Sequence, residues 1–208
     1  MPEDMLCHYN LKDQSLWEDN TSFYRFLVWQ PEQIIIILGN SNTVEKSVFT
    51  QAVYEDKVSI VQRPSGGEAV ILSPRMLVVS AVHNTEKPLP SKKYFHIYNT
   101  RIIHALENQG VHGLSQEGIS DIAIYNRKIA GSAMYRNPKK VFFHAVINVS
   151  QPTDIIEKYL RYPQKTPAYR DQRNHRDFVT SLQEAGFPFS MEALIVSLSS
   201  EMKNYPGS

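Results

Sequence analysis

Residues 34–38 read Ile-Ile-Ile-Ile-Leu, an unbroken aliphatic run entered through Gln33 and left through Gly39. A run this short, β-branched and apolar on both faces predicts a strand covered on both sides. It is far too short to span a bilayer. Comparable runs fill the first three quarters of the chain. "FYRFLVW" precedes it across a short turn at Pro31, Glu32 and Gln33, and "VSIVQ" and "AVILS" flank "RPSGGE" ahead of a third run, "MLVVSAV". "SDIAIYN", "KIAGSAMYR" and "VFFHAVINV" repeat the pattern, with turn chemistry at "NR" and at "NPKK". The bulk of the fold is expected to be an antiparallel sheet.

Helical periodicity is inserted among these strands and appended after them. Residues 91–109 carry Phe95, Tyr98, Ile102, Ile103 and Leu106 on one stripe, closed by Gly110. A weaker helix is expected over residues 152–160. Asn174 and Asp177 form an N-cap and N3 pair for another across "HRDFVTSLQEA", and Met191–Lys203 places Leu194, Ile195, Leu198 and Met202 on one side. This mixture predicts an α+β fold, mainly an antiparallel sheet with packed helices. With 208 residues, 42% of them hydrophobic, and no repeat, low-complexity tract or linker, residues 1–208 read as a single domain.

A formal net charge of +1 gives no global reason to expect nucleic acid as a partner. No membrane is expected either, because the amino-terminal stretch, acidic at Glu3 and Asp4, holds no apolar run of signal-peptide length. The single cysteine, Cys7, lies before the first expected strand and fits a reducing compartment, so the expected location is cytoplasmic.

Two short stretches carry candidate chemistry. In "QRPSGGEAV", Pro64 fixes one backbone angle while Gly66 and Gly67 let a ligand approach the main chain. Arg63 beside open backbone amides suits a carboxylate or phosphate. The alternative is a hairpin whose glycines serve geometry alone. The stretch is no Walker loop, lacking Gly-Lys-Ser/Thr, and no helix pattern follows it. In "IYNRKIAGSA", Lys128 is either an ordinary hairpin-edge lysine in water or a charge beside space cleared by Gly131, Ser132 and Ala133.

Taken together, "RPSGGEAV", "SDIAIYNRKIAGSAMYR" and "FFHAVINV", with "ILGNSNTVEKSV" between the first strands, resemble one family over roughly residues 11–182. It is the catalytic domain of lipoate-protein ligase A and its octanoyl- and lipoyltransferase relatives, class II synthetase-like in fold and shared with the biotin protein ligases. The resemblance implies that Arg63, Ser65, Gly66, Gly67 and Ala69 line an acyl pocket, and that Gly131, Ser132 and Ala133 make room for the ligand. Lys128 takes the catalytic position, contacting the carboxyl end of the acid and the phosphate of its adenylate. His144 matches the second histidine of a pair whose first is Phe143, and Asp121 an acid near nucleotide and magnesium. Gln62 and Glu68 stand where the family pattern has an arginine and a glycine, and Ser120 where it has an asparagine.

The implied activity is ligation. ATP with Mg2+ activates lipoate or octanoate to an acyl-adenylate, and a lysine of a lipoyl acceptor domain, on a 2-oxoacid dehydrogenase E2 or a glycine cleavage H-type protein, takes the acyl group. The family's accessory carboxy-terminal domain is not expected within the chain, so a separate accessory protein is a possible partner. The alternatives are an octanoyl or lipoyl transferase, for which Cys7 is the sole candidate thiol, one half of a split ligase, and a non-catalytic lipoate-binding protein. In the basic stretch 157–177, Arg170 and Arg173 are expected to contact the acceptor or a phosphate, against the plainer reading of a solvated face.

Overall fold

The computed structural model describes residues 6–203, so Glu3 and Asp4 at the acidic start lie outside it. Its elements run β1 (Leu6–Cys7), α1 (Gln14–Glu18), β2 (Tyr24–Trp29), β3 (Ile35–Leu38), α2 (Val44–Ser47), α3 (Thr50–Glu55), β4 (Ser59–Gln62), β5 (Val70–Leu72), β6 (Met76–Asn84) and α4 (Ser91–Glu107). There follow β7 (Leu114–Glu117), β8 (Asp121–Ile124), β9 (Arg127–Arg136), β10 (Lys140–Asn148), α5 (Thr153–Tyr159), a 3-10 turn (Ala168–Arg170), α6 (His175–Phe178) and α7 (Met191–Lys203). The fold is α+β, as expected. A six-stranded sheet in the order β2-β6-β10-β9-β8-β7 is antiparallel throughout, and a four-stranded sheet, β1-β4-β3-β5, is mixed.

Alternation along β10 shows how the layers are built. Phe143, Ala145 and Ile147 enter a core shared with Tyr98, Ile102 and Leu106 of α4 and Leu194, Leu198 and Met202 of α7. The opposite face, with His144, Val146 and Asn148, looks toward the smaller sheet. The aliphatic run at residues 34–38 is covered on both sides as its composition requires. Ile36 and Leu38 pack against Val44, Val53 and Ile156, while Ile37 meets Trp29 and Val78 of the large sheet. Fully burying one such side chain contributes about 1.5–3 kcal/mol.

Several expectations are corrected. Strands β2 and β3, joined through Pro31 and Gln33, belong to different sheets. "RPSGG" is not a hairpin turn, because β3 lies between β4 and β5, parallel to one and antiparallel to the other. The helix beginning at His175 has its Asn174 cap, whose Oδ1 accepts from the Asp177 amide at 2.8 Å, yet it stops at Phe178. There the Thr180 amide donates to the Lys128 carbonyl at 2.9 Å, drawing the chain out into extended form. Cys7 sits within β1 rather than before the first strand, and is exposed. The buried stripe of α4 includes Tyr94 and Ala105, while Phe95 and Ile103 flank it partly buried. The turn before Arg127 is formed by Tyr125 and Asn126, both left-handed at φ 48° and 65°, the primed geometry that closes two-residue hairpins. Among the described residues, no helix is long and apolar enough to cross a membrane.

Candidate active site

A cavity of 670 Å³ lies between the two sheets, in the size range of small-molecule sites. Val70, Ile71, Met76, Val146, Ile156 and Leu160 give it apolar walls, while Asp121, Lys128, His144, Arg170 and His175 also face it.

The position of Lys128 depends on a register shift. Ile122 pairs with Ala130 but Ala123 with Lys128, so Ile129 is an extra residue in β9. Such a bulge re-aims side chains. Ile129 and Ala130 both enter the α4 core, leaving Lys128 and Gly131 on the cavity face together. The ammonium lies across the glycine, where an added Cβ would stand 2.7 Å from Nζ. It pairs with Asp121 Oδ1 at 2.8 Å, its side chain 28% exposed. Asp121 Oδ2 accepts from the Tyr169 hydroxyl at 2.9 Å. Lys128 is therefore not an ordinary hairpin-edge lysine in water, and the space at Gly131 is occupied first by Lys128 itself. Ser132 and Ala133 line the cavity, but the Ser132 amide and hydroxyl also donate to the Ser120 carbonyl at 2.8 and 2.7 Å, binding β9 to the start of β8.

The glycine turn is built from the inside. Arg63 is buried, donating through Nε and Nη2 to the Gly66 carbonyl at 3.2 and 2.8 Å and through Nη2 to the Glu68 carbonyl at 2.9 Å. The expected anion-facing guanidinium instead braces the turn, although Arg63 does reach the cavity wall. Ser65 is 1% exposed and does not line the cavity; its Oγ sits 2.8 Å from His144 Nε2 and ties the turn to β10. Gly66 is likewise not among the lining residues, whereas Gly67, Glu68 and Ala69 are. Gly67 needs its left-handed φ of +96°. Burial, with Arg63 adding to it, pushes the His144 imidazole down to about 3, so the ring is neutral at physiological pH.

The expectations for the two arginines divide. Arg170 is 4% exposed and lines the cavity, its guanidinium 4.5 Å from the Tyr162 ring and 4.8 Å from that of Phe178. Its Nη2 is buried without a hydrogen-bond partner. Arg173 donates to the carbonyls of Arg170, Asn126 and Tyr169 at 3.0, 3.0 and 2.7 Å, and does not line the cavity. These bonds fix the loop to the β8–β9 hairpin, and Arg173 stands outside the cavity.

Reading the sequence missed Gly39, Tyr169 and His175. A Cβ on Gly39 would lie 2.0 Å from the Gly67 carbonyl oxygen, so the turn rests directly on that backbone. "LGN" between two strand signals was the available clue. Glu68 accepts from the Lys165 amide at 3.1 Å across the cavity mouth. Among the described residues there is no cluster of three or more metal-ligating side chains. Asp121 and Glu117, paired across β8 and β7, both line the cavity.

A model of the lipoyl protein ligase A/B catalytic domain matches residues 8–203. Lipoate-protein ligase LplJ of Bacillus subtilis is 27% identical over 161 residues, covering 77% of this chain and 47% of the relative. Octanoyltransferase LipM of the same organism is 22% identical over 185 residues, covering 77% and 66%. The chain thus spans about half the length of that ligase and slightly under two thirds of that transferase. A solved lipoate-protein ligase A bound with ATP shares the fold, with a TM-score of 0.77 at 16% identity over 95% of this chain and 81% of the other.

Proposed function

The chain belongs to the lipoyl protein ligase A/B catalytic-domain family, and on that premise we propose that it is a lipoate-protein ligase catalytic domain. In this reading it activates lipoate or octanoate with ATP and passes the acyl group to a lysine of a lipoyl acceptor domain. The observation that carries the reading is the Lys128–Asp121 pair set into a cavity that also has apolar walls for an acyl chain.

Each part of the cavity then has a task. The apolar walls take the acyl chain; about six methylenes at ~0.8 kcal/mol each give roughly 5 kcal/mol before ordering costs. Lys128 faces the carboxylate and, after activation, the α-phosphate, a fixed positive charge where negative charge develops. Its pairing with Asp121 holds the ammonium in place before substrate enters, so little reorganisation is needed during reaction. Arg170, which also lines the cavity, would add a second positive charge near the phosphates. Mg2+ would be held chiefly by the phosphates, with Asp121 and Glu117 as the nearby carboxylates, and would supply charge neutralisation there. We place the reaction in the cytoplasm and treat the described residues as one catalytic domain. The acceptor is an E2-type or H-type lipoyl protein, with or without an accessory chain.

The test is mass spectrometry of a purified lipoyl acceptor domain incubated with the protein, ATP, Mg2+ and lipoate or octanoate. The expected outcome is an ATP-dependent mass increase on the acceptor lysine, reduced ~10²-fold or more in Lys128→Ala. Acylation only from a preformed adenylate or an acyl-carrier donor would indicate a split ligase or a transferase. A cysteine-based transferase is disfavoured because Cys7, the one cysteine, does not line the cavity. No product from any donor would leave a lipoate-binding protein.

A further inference from the structure

Forming the amide from an acyl-adenylate leaves a proton to remove, because the attacking lysine nitrogen becomes positively charged as it bonds to carbon. The groups facing the cavity differ sharply in their freedom to take that proton. Asp121 is engaged on both oxygens, by Lys128 and Tyr169. Glu68 accepts from the Lys165 amide, and Glu117 Oε1 accepts from the Ser115 hydroxyl; each keeps a second oxygen, but a carboxylate is ordinarily a weaker base than an imidazole by about 2 pK units. His144 is enclosed against Ser65 and, with its pKa near 3, is too weak a base.

His175 is the exception. It lines the cavity, and its Nε2 lies 3.3 Å from the Arg161 carbonyl, an acceptor that fixes Nε2 as the protonated nitrogen. The lone pair therefore resides on Nδ1. The short helix that carries it is held to the strand that carries Lys128: Arg127 Nη2 donates to the carbonyls of Arg176 and Val179 at 2.9 and 2.8 Å, and the Thr180 amide donates to Lys128 O. A base, an orienting acceptor behind it and a fixed charge on the adjoining strand form the usual layout of a proton-transfer site.

We propose that His175 is the proton acceptor in acyl transfer to the acceptor lysine, a role that rests on the ligase reading above. The uncharged lysine Nζ attacks the acyl carbon with its lone pair and forms the C–N bond. The C–O bond to the α-phosphate breaks and AMP leaves with that electron pair. The surplus proton on nitrogen passes to Nδ1 of His175 and from there to water. Burial, helped by Arg170 and Lys128, holds the imidazole below its ordinary value despite the opposing Arg161 carbonyl and Glu157, which keeps the ring unprotonated and ready.

The test separates the two half-reactions. Wild type, His175→Gln and His175→Ala are each given lipoate with ATP and Mg2+, to measure adenylate formation. Each is separately given preformed lipoyl-adenylate with an acceptor domain, to measure transfer in single turnover. Transfer is expected to fall ~10²-fold in both variants, with adenylate formation retained, and added imidazole is expected to restore transfer in His175→Ala. Transfer close to the wild-type rate overturns the proposal, as do equal losses in both half-reactions or a loss that imidazole does not relieve. Wild-type protein inert in both half-reactions would instead refute the ligase reading, and this role with it.

Discussion

Replacing Gly131 with alanine puts a methyl group where Lys128 now lies. The new Cβ would come within 2.7 Å of Nζ and 2.8 Å of Cε, where non-bonded atoms are comfortable at about 3.5–4.0 Å. The head group must retreat by about 1 Å. Because the obstructing atoms are the free end of a flexible side chain and Gly131 is not in the left-handed region, the strand itself need not move. Global stability is therefore expected to change by less than about 1 kcal/mol. The 2.8 Å pair with Asp121 has no such tolerance. A displacement of ~1 Å in a positioned catalytic group commonly costs ~10²-fold in rate. Acceptor-domain acylation followed by mass spectrometry, beside a urea melt, measures both quantities. Wild-type turnover in Gly131→Ala, alongside an inactive Lys128→Ala, would refute the claim that this glycine exists to seat the lysine. A large fall in the urea midpoint would refute the claim that the clash is confined to the side chain.

Other outcomes follow from the same geometry. Gly39→Ala meets backbone instead of a mobile side chain, with Gly67 O at 2.0 Å, and is expected to cost about 1–3 kcal/mol and to abolish lipoate binding by calorimetry; an unchanged melt counts against it. Ser65→Ala leaves His144 Nε2 without its partner at 2.8 Å, a loss of about 1–3 kcal/mol in denaturation, and a neutral result would show that the turn is held by Arg63 alone. Tyr169→Phe removes the hydroxyl from Asp121 and should weaken the loop by about 1 kcal/mol, read as faster amide exchange in residues 163–172. The neutral His144 contributes stability that is complete above its ordinary value of 6.5 and is lost as pH falls toward about 3, at roughly 1 kcal/mol per pH unit. His83 and His175 shift in the same direction, while the buried Asp13, held above its ordinary range, takes up its proton more readily when folded and offsets part of the loss. His144→Gln should flatten the acid limb of the stability curve, and an unaltered slope would disprove the assignment.

Most strands and helices were legible because burial on one or two faces writes its period directly into the residues, as in residues 34–38 and in the α4 stripe at Tyr98, Ile102 and Leu106. Pairing between distant strands leaves no such local trace. Nothing in "RPSGGE" reveals that β3 lies between its flanking strands, and nothing in "HRDFVTSLQEA" shows that the Lys128 carbonyl captures the Thr180 amide and ends the helix. Strand β7, "LSQE", lacks an apolar period because it sits at a sheet edge and is only half-buried. At the site, Lys128 and the small residues after it were identifiable, but the reason for Gly131 required the bulge at Ile129. The inward turn of Arg63, the engagement of Arg173 and the latch from Tyr169 to Asp121 depend on backbone carbonyls and a distant loop, which residue types do not announce.

The cavity takes Met76 and Val146 from the large sheet but Val70 and Ile71 from the small one. The two sheets touch through Trp29, Ile37, Val61, Leu72 and Val78, none of which lines the cavity, while Val70 and Val146, which do line it, pack against that cluster. The pocket is thus a caliper, its jaws open to substrate and its screw buried in the contact between the sheets. The width of the cavity is thereby tied to packing in that contact, and on the ligase reading proposed above, selectivity for the acyl chain would shift through core substitutions that leave the residues facing the ligand unchanged.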